Sequence, residues 1–201
     1  MSIIKRPSWD ETHMMDAILS ATRSSCLIRA VGASLVRDNR VIASGYNGAP
    51  SKIKSCLETG ECFYQRIAWE DHKKGLGDYE ELKESRKFLC IASHGEVNAL
   101  SQCTKYGPSS VGSVLYITNL PCPSCTRNEI LAKGVIGVKV WKGYLSNNLL
   151  TLDEKRATEA LLLEAGVPLS YVTLTEKRMK EIFALMLSVG ERSSYKFNPD
   201  K

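Results

Sequence analysis

Apolar and polar positions along the first fifty residues predict a helix followed by a hairpin. Ser8 and Glu11 form a capping box ahead of apolar residues at helical spacing, so we expect a helix there. Residues 31–36 and 41–44 are two short apolar runs separated by an Asp-Asn turn. This pattern predicts two antiparallel strands.

The rest of the chain predicts exposed helices and then a regular alternation of strands and helices. Residues 63–87 are dense in both charge signs, which indicates solvent-exposed helices interrupted at the "GLGD" sequence. The elements predicted after it are helix 94–106, strand 113–118, helix 123–134, strand 136–141, helix 152–166, strand 168–174 and helix 176–189.

Strands that alternate with helices favour right-handed crossovers onto a shared, largely parallel sheet. With the hairpin joined to that sheet, the predicted fold class is α/β, a three-layer α/β/α arrangement around a mixed five-stranded sheet. A length of 201 residues suits one domain, residues 1–201. We expect this domain to carry a charged insertion at about residues 60–90 and a C-terminal helical extension from about residue 150.

Further properties of the whole sequence limit the kinds of molecule that the protein is expected to bind. No apolar run approaches the roughly 18 residues of a membrane span, and the first residues are too polar for a secretory signal. We therefore expect a cytoplasmic protein without a membrane partner. The net charge of +5 suits an anionic small substrate, although a solvated basic surface is the commoner meaning. The basic residues are scattered, so a nucleic-acid partner is not expected.

Two pairs of potential metal ligands stand at the starts of two predicted helices. His94 and Glu96 are two residues apart, and side chains at that spacing converge only in the first turn of a helix. Cys122 and Cys125 are three apart, which places both on one face of a helix start, and Pro123 suits the first helical position. Helix N-termini favour negative charge, as thiolates require.

These residue types indicate a catalytic zinc site. One imidazole and two thiolates leave the fourth position of a tetrahedral zinc open, and zinc can lower the pKa of bound water from about 15.7 to about 7. Glu96, as a carboxylate that does not bind the metal, could take the proton of that water and pass it to the substrate. H-x-E followed by P-C-x-x-C is the pattern of zinc-dependent nucleobase deaminases. The alternative, a structural C-x-x-C and an unrelated histidine, leaves Glu96 unexplained.

From residue 6 to about residue 145, the chain resembles the deoxycytidylate (dCMP) deaminases of the cytidine deaminase superfamily. The resemblance rests on five stretches in the family's order: "RPSWDE", "SSCLIRAVGAS", "ASGYNGAP", "HGEVNAL" and "PCPSC". It implies a cytidine deaminase-like fold and zinc-dependent hydrolysis of dCMP to dUMP and ammonia. It also implies a homo-oligomer with dCTP and dTTP as effectors, and Mg²⁺ accompanying a nucleotide effector. Gly95 departs from the family, which usually has alanine there.

The resemblance places His94, Cys122 and Cys125 on the zinc ligands and Glu96 on the proton shuttle. It places Asn47 on the asparagine that holds the sugar hydroxyl. The alternative role for this residue is that of a turn asparagine in a left-handed conformation.

The resemblance also suggests other residues that could bind the substrate, and each of them could instead have no contact with it. Arg29 lies in a stretch that supplies a phosphate contact in some relatives, but a solvent-facing arginine is the alternative. Tyr144 could line or gate the base pocket. Lys52 and Lys105 are further candidates for binding an anion.

Seven cysteines in a chain without an export signal favour metal binding or catalysis over disulfides. Bacterial and phage relatives carry cysteines at places that correspond to Cys26, Cys56, Cys62 and Cys90, and several use some of them for a structural zinc. Four thiolates would close a tetrahedral site. The alternative is four ordinary buried cysteines. Cys103 is left over as a buried helix residue.

Two rival functions remain open at this point. One is deamination of another base, such as a free nucleoside, guanine or a base in tRNA. The other is a non-catalytic zinc module that binds nucleic acid or a protein partner. A purely structural zinc site would close its fourth position with a protein ligand and would have no use for Glu96.

Overall fold

The computed structural model describes residues 5–143 and 150–188. The strands are β1 (Gly32–Arg37), β2 (Arg40–Tyr46), β3 (Val114–Ile117), β4 (Gly137–Trp141) and β5 (Leu169–Val172). The first helices are α1 (Trp9–Ala21), α2 (Cys56–Thr59), α3 (Phe63–Lys73), α4 (Tyr79–Ser85) and α5 (Gly95–Tyr106), with a short 3-10 turn at Lys87–Leu89. The later ones are α6, which is an α-helical turn (Pro123–Cys125) continued by a π-helix (Thr126–Leu131), α7 (Leu152–Glu164) and α8 (Glu176–Leu187).

The five strands form one mixed sheet in the order β2-β1-β3-β4-β5. β1 pairs antiparallel with both β2 and β3, whereas β3, β4 and β5 run parallel to one another. The predicted mixed five-stranded sheet is therefore confirmed. Because β3, β4 and β5 are parallel, the chain leaves each of them at the same edge of the sheet.

Helices cover both faces of this sheet, which confirms the three-layer prediction. On one face, Leu100 of α5, Ile130 of α6 and Leu162 of α7 are fully buried in the larger core. On the other face, Met14 of α1 and Ile182 of α8 are buried in a second core. Side chains of β3 alternate between these two cores: Leu115 and Ile117 lie in the larger core, whereas Val114 and Tyr116 lie in the second one.

Local sequence signals account for most element boundaries. Ser8 and Glu11 exchange the two hydrogen bonds of the predicted capping box. Asp38 and Asn39 have φ angles of 52° and 56°, the left-handed pair that a tight two-residue hairpin turn requires. The sequence predicts a regular α-helix at residues 123–134. The structure has instead a single α-helical turn followed by a π-helix that ends at Leu131. The repeat of apolar residues does not distinguish these two helix types.

The segment predicted as a charged insertion forms α3 and α4, which pack on one another at the surface. Gly75 and Gly77, both with positive φ, separate the two helices where the interruption was predicted. Arg86 holds Asp71 at 3.0 Å, which ties the end of α4 to α3. The division of the chain into one domain, an insertion and an extension stays a prediction. In the described part of the chain, no helix has the length and apolarity needed to cross a membrane.

β2 and α5 approach one another so closely that a side chain at Gly45 would collide with the helix backbone. A Cβ atom there would lie 2.3 Å from the backbone nitrogen of Ala99 and 2.5 Å from the carbonyl oxygen of Gly95. The Asn98 amide adds a hydrogen bond of 2.7 Å to the carbonyl of Tyr46. The beginning of α5 is thereby fixed against the end of β2.

Substitution of Gly45 by alanine tests this contact. Because the nearest atoms belong to the backbone of α5, which cannot move aside independently, we expect Gly45→Ala to lower the free energy of unfolding by about 1–3 kcal/mol. Urea unfolding of purified protein measures the change. The matched control is Gly137→Ala in β4, where the nearest atom would lie at an ordinary 3.6 Å. Equal stability of the two variants would contradict the close approach.

A candidate zinc site at two helix starts

His94 and Cys122 are the N-cap residues of α5 and α6. Both have an extended backbone, with φ and ψ of −75° and 156° at His94 and −74° and 161° at Cys122. The side chain of an N-cap residue in this conformation lies at the N-terminal end of its helix, next to the free N–H groups of the first turn. The two helix starts meet at the same edge of the sheet, and their side chains are therefore brought together.

The side-chain atoms of the predicted site lie close to one another. Nδ1 of His94 is 3.3 Å from Sγ of Cys125 and 3.7 Å from Sγ of Cys122. Oε1 of Glu96 lies 3.9 Å from the same nitrogen, and all four groups are within 4.8 Å of one another. Nitrogen and sulphur ligands of a tetrahedral zinc are about 3.5 Å apart. The residues present thus fit a zinc ion in both donor type and spacing.

Burial differs sharply between the two ends of the site. The His94 side chain is 53% exposed, whereas that of Glu96 is only 4% exposed. Cys125 is buried as well, and Cys122 is half-buried. Solvent therefore reaches the histidine edge of the site, and the Glu96 carboxyl group lies at its base.

The ionisable groups of the site influence one another strongly. Burial raises the pKa of the Glu96 carboxyl above its usual range. The hydrogen bond between the two thiols lowers the pKa of Cys122 and raises that of Cys125. The pKa of His94 is raised, first by its hydrogen bond with Cys122. A carboxylate with a raised pKa is a stronger base than that of an exposed glutamate, which suits a group that accepts a proton.

Gly95, the residue that departs from the family pattern, lies directly beneath the segment before β1. A Cβ atom at this position would lie 3.1 Å from the carbonyl oxygen of Val31, which is a tight contact. Glycine therefore fits this helix start without crowding Val31.

Asn47 is buried and holds together the segment that precedes β1. Its Oδ1 accepts hydrogen bonds from the backbone nitrogen of Val31 at 2.8 Å and from the Ser24 hydroxyl at 2.7 Å. Its Nδ2 donates to the carbonyl of Arg29 at 3.1 Å. Asn47 does not have positive φ, so the left-handed turn expected as the alternative is absent. Within the described residues, the amide nitrogen donates to the Arg29 carbonyl alone, which leaves its second N–H for a further acceptor.

Ser24 and Asn98 make hydrogen bonds around Asn47 that the sequence did not predict. Ser24 completes the hydrogen bonds of Asn47, and Asn98 binds the carbonyl of the residue just before Asn47. Both bonds join residues more than twenty positions apart in sequence. The only local signal was the presence of polar residues inside the stretches "SSCLIRAVGAS" and "HGEVNAL".

Arg29 is half-buried and lies near the candidate zinc site. Its positive charge opposes the increase in pKa of His94, which comes first from the hydrogen bond with Cys122. It likewise opposes the increase in pKa of Cys90, which comes first from burial. Arg29 thus contributes positive charge at the histidine edge. Tyr144, the other predicted substrate contact, lies outside the described residues.

Cys26, Cys56, Cys62 and Cys90 lie within electrostatic range of one another. Burial raises the pKa of Cys62 and of Cys90, and the other cysteines of the group add to both increases. Within residues 5–143 and 150–188, however, the one close-packed set of potential metal ligands is the His94 group. Cys103 is buried on α5 in the larger core, where a leftover helix cysteine was predicted.

Comparison with known proteins identifies the family. Residues 7–139 match the family described as the cytidine and deoxycytidylate deaminase zinc-binding region. A deoxycytidylate deaminase of Mycobacterium phage D29 is 36% identical over 132 residues, which are 66% of this chain and 93% of the phage protein. ComE operon protein 2 of Bacillus subtilis is 31% identical over 174 residues, which are 86% of this chain and 76% of the relative.

A solved structure supports the same assignment. The crystal structure of dCMP deaminase from the cyanophage S-TIM5, in complex with dCMP and dUMP, superposes with a TM-score of 0.58 at 26% identity. The alignment covers 84% of this chain and 99% of the phage chain. With the match over residues 7–139, these similarities show that the chain belongs to the zinc-binding cytidine and deoxycytidylate deaminase family.

Proposed function

We propose that this protein is a zinc-dependent hydrolase that converts dCMP to dUMP and ammonia. The observation that carries the proposal is the placement of Glu96. Its side chain is 4% exposed, and its Oε1 lies 3.9 Å from Nδ1 of His94, which faces two cysteines. A structural zinc site has no use for a buried carboxyl group beside its ligands, whereas hydrolysis requires a group that moves protons.

His94, Cys122 and Cys125 would hold the metal ion, and the fourth position would stay open as in other catalytic zinc sites. Zinc, when bound, supplies Lewis acidity that lowers the pKa of water from about 15.7 to about 7. The side chains of the protein carry out the proton transfers and bind the substrate.

Glu96 is the group that moves protons in the proposed reaction. Its carboxylate accepts a proton from the attacking water as the oxygen bonds to C4 of the cytosine ring. The same carboxyl group then donates that proton to ring nitrogen N3. It next takes the proton of the new C4 hydroxyl and passes it to the amine, so that C4=O forms as the C4–N bond breaks and ammonia leaves. Burial favours this exchange, because the raised pKa makes the protonated form accessible.

The comparisons support dCMP as the substrate rather than another base. The phage D29 relative is a deoxycytidylate deaminase, and the superposed cyanophage enzyme holds both dCMP and dUMP. We infer that this chain acts on the same nucleotide. A nucleoside deaminase is the principal alternative, and the response to the phosphate group separates the two.

Replacement of Glu96 by glutamine tests the proton-transfer role. Glutamine has nearly the same shape but cannot accept a proton, so we expect Glu96→Gln to retain zinc and to lose dCMP deamination by several orders of magnitude. Zinc content and the decrease in absorbance on conversion of dCMP measure the two properties. Glu129→Gln, on α6 outside the site, is the control and should keep both. Normal turnover by Glu96→Gln would contradict the assignment.

Asn47 and Arg29 are proposed to bind the sugar and the phosphate, respectively. The support for Asn47 is its N–H without a described partner, beside the metal site and on a rigid segment. The support for Arg29 is its positive charge near His94. A charged hydrogen bond is worth about 1.5–3 kcal/mol, which corresponds to about 10- to 100-fold in rate.

These two roles predict different kinetic effects. Wild-type protein should deaminate deoxycytidine about 10- to 100-fold more slowly than dCMP, measured as kcat/KM, since the nucleoside lacks the phosphate. Arg29→Gln should lower kcat/KM for dCMP and leave that for deoxycytidine nearly unchanged. Asn47→Ala should lower kcat/KM for both. Equal rates of wild-type protein on the two substrates would favour a nucleoside deaminase, and unchanged kinetics of Asn47→Ala would leave that residue only its structural role.

We also propose a second, structural zinc bound by Cys26, Cys56, Cys62 and Cys90. The contributions of Cys56, Cys90 and Cys26 to the raised pKa of Cys62, which comes first from burial, support it, because they place the four thiols in one region of the fold. The backbone of Leu57 also donates to the carbonyl of Ser25 at 3.1 Å, which joins the segments that carry the first two cysteines. Four thiolates would connect the charged α3–α4 segment to the rest of the domain.

Metal analysis decides between this site and four ordinary cysteines. We expect about two zinc ions per chain in wild-type protein and about one in Cys56→Ser, together with a loss of stability on urea unfolding. Cys103→Ser is the control, because it changes a buried cysteine outside the group and should keep both ions. One zinc per wild-type chain, or undiminished stability of Cys56→Ser, would overturn the second site.

The remaining expectations from the sequence and from the family resemblance stay predictions. They are regulation by dCTP and dTTP, Mg²⁺ bound with a nucleotide effector, assembly into a homo-oligomer, a cytoplasmic location and a base-pocket role for Tyr144.

A further inference from the structure

A buried hydroxyl group on α7 contacts the loop that delivers the cysteine ligands. Thr158 Oγ1 donates a hydrogen bond of 3.0 Å to the carbonyl oxygen of Pro121, the residue directly before Cys122. Thr158 is fully buried. α7 lies beyond residue 139, where the match to the family ends, so the contact comes from a part of the chain that the family assignment does not cover.

The Thr158 hydroxyl makes its hydrogen bond outside its own helix. A threonine inside a helix commonly turns its hydroxyl to a carbonyl of its own preceding turn. Here the hydroxyl bonds to a different element, 37 residues away in sequence. A buried hydroxyl is unfavourable unless it is bonded, and valine would fill the same volume without that cost. The bond to Pro121 is therefore the reason for a hydroxyl at this position.

The carbonyl of Pro121 belongs to the peptide unit that sets the direction of Cys122. That peptide is planar, so the position of the Pro121 oxygen fixes the backbone nitrogen of Cys122 as well. Cys122 in turn has the extended N-cap conformation, and its Sγ accepts a hydrogen bond of 3.5 Å from the backbone nitrogen of Cys125. A rotated Pro121 peptide would move Sγ of Cys122 away from His94.

We propose that Thr158 is a positioning residue for the zinc site, acting through the Pro121 carbonyl to hold Cys122 in its ligating orientation. The inference rests on the proposed zinc site at His94, Cys122 and Cys125. Partners that orient metal ligands typically account for about 10- to 100-fold in metal affinity. The loss of this one bond should therefore weaken zinc binding by about that factor.

The test compares Thr158→Val, which removes the hydroxyl and keeps the shape, with Thr158→Ser, which keeps the hydroxyl. Zinc affinity is measured by competition with a chromophoric chelator, and the absorption spectrum of the Co²⁺-substituted protein reports the ligand geometry. Ser113→Ala is the matched control. Ser113 is also fully buried and donates its hydroxyl to a backbone carbonyl, that of Ser110 at 2.6 Å, but at the opposite end of β3.

We expect Thr158→Val to bind zinc about 10- to 100-fold more weakly and to alter the Co²⁺ spectrum. Thr158→Ser should restore both properties, and Ser113→Ala should lose stability without losing zinc affinity. If Thr158→Val does not fold, Thr158→Ala gives the same comparison. Wild-type zinc affinity in Thr158→Val, or equal loss in Thr158→Ser, would overturn the positioning role. If Cys122→Ser itself leaves zinc affinity unchanged, the proposed zinc site fails instead.

Discussion

The arrangement depends on two N-cap residues that face one another. His94 and Cys122 each end an extended segment and begin a helix, and the backbone conformation of a cap determines where its side chain points. A shift of either helix start by one residue would turn its side chain to another face. The parallel pairing of β3 and β4 and the contact of β2 with α5 fix these two starts. The site is thus a consequence of sheet topology rather than of the motif alone.

The surrounding segments connect the metal ligands to the residues proposed to bind substrate. Gly48 and Ser93 exchange two backbone hydrogen bonds, of 3.1 and 2.9 Å, immediately beside Asn47 and His94. Asn98 binds the carbonyl of Tyr46 on the other side of Asn47. The proposed sugar contact and the proposed metal ligands therefore lie on adjacent segments that hydrogen bonds join.

The sequence predicted those features that local chemistry determines. The capping box at Ser8 and the hairpin turn at Asp38 follow from short-range spacing, and the structure contains both. The convergence of His94 with the two cysteines was predicted from the combination of metal-ligand residue types at two helix starts, and the structure contains it as well. The prediction of the sheet also succeeded, because alternating strands and helices leave few topologies. The family comparison then agreed with the resemblance that these motifs suggested.

Features set by distant contacts could not be predicted in the same way. The hydrogen bonds of Asn47 to Ser24 and Val31, and that of Thr158 to Pro121, depend on which loops the completed fold places side by side. The π-helical continuation of α6 likewise has no distinct spacing of apolar residues in sequence. Such contacts appear only when tertiary packing is known.

Anomalous diffraction at the zinc absorption edge, from crystals of the purified protein, shows directly whether zinc is bound at the two helix starts and which side chains bind it. We expect a zinc peak between Nδ1 of His94 and the Sγ atoms of Cys122 and Cys125, with the Glu96 carboxylate outside bonding distance of the metal. A peak bonded to Glu96 would make this residue a ligand and contradict its role in proton transfer. The absence of any peak at these residues in protein that contains zinc would contradict the site itself.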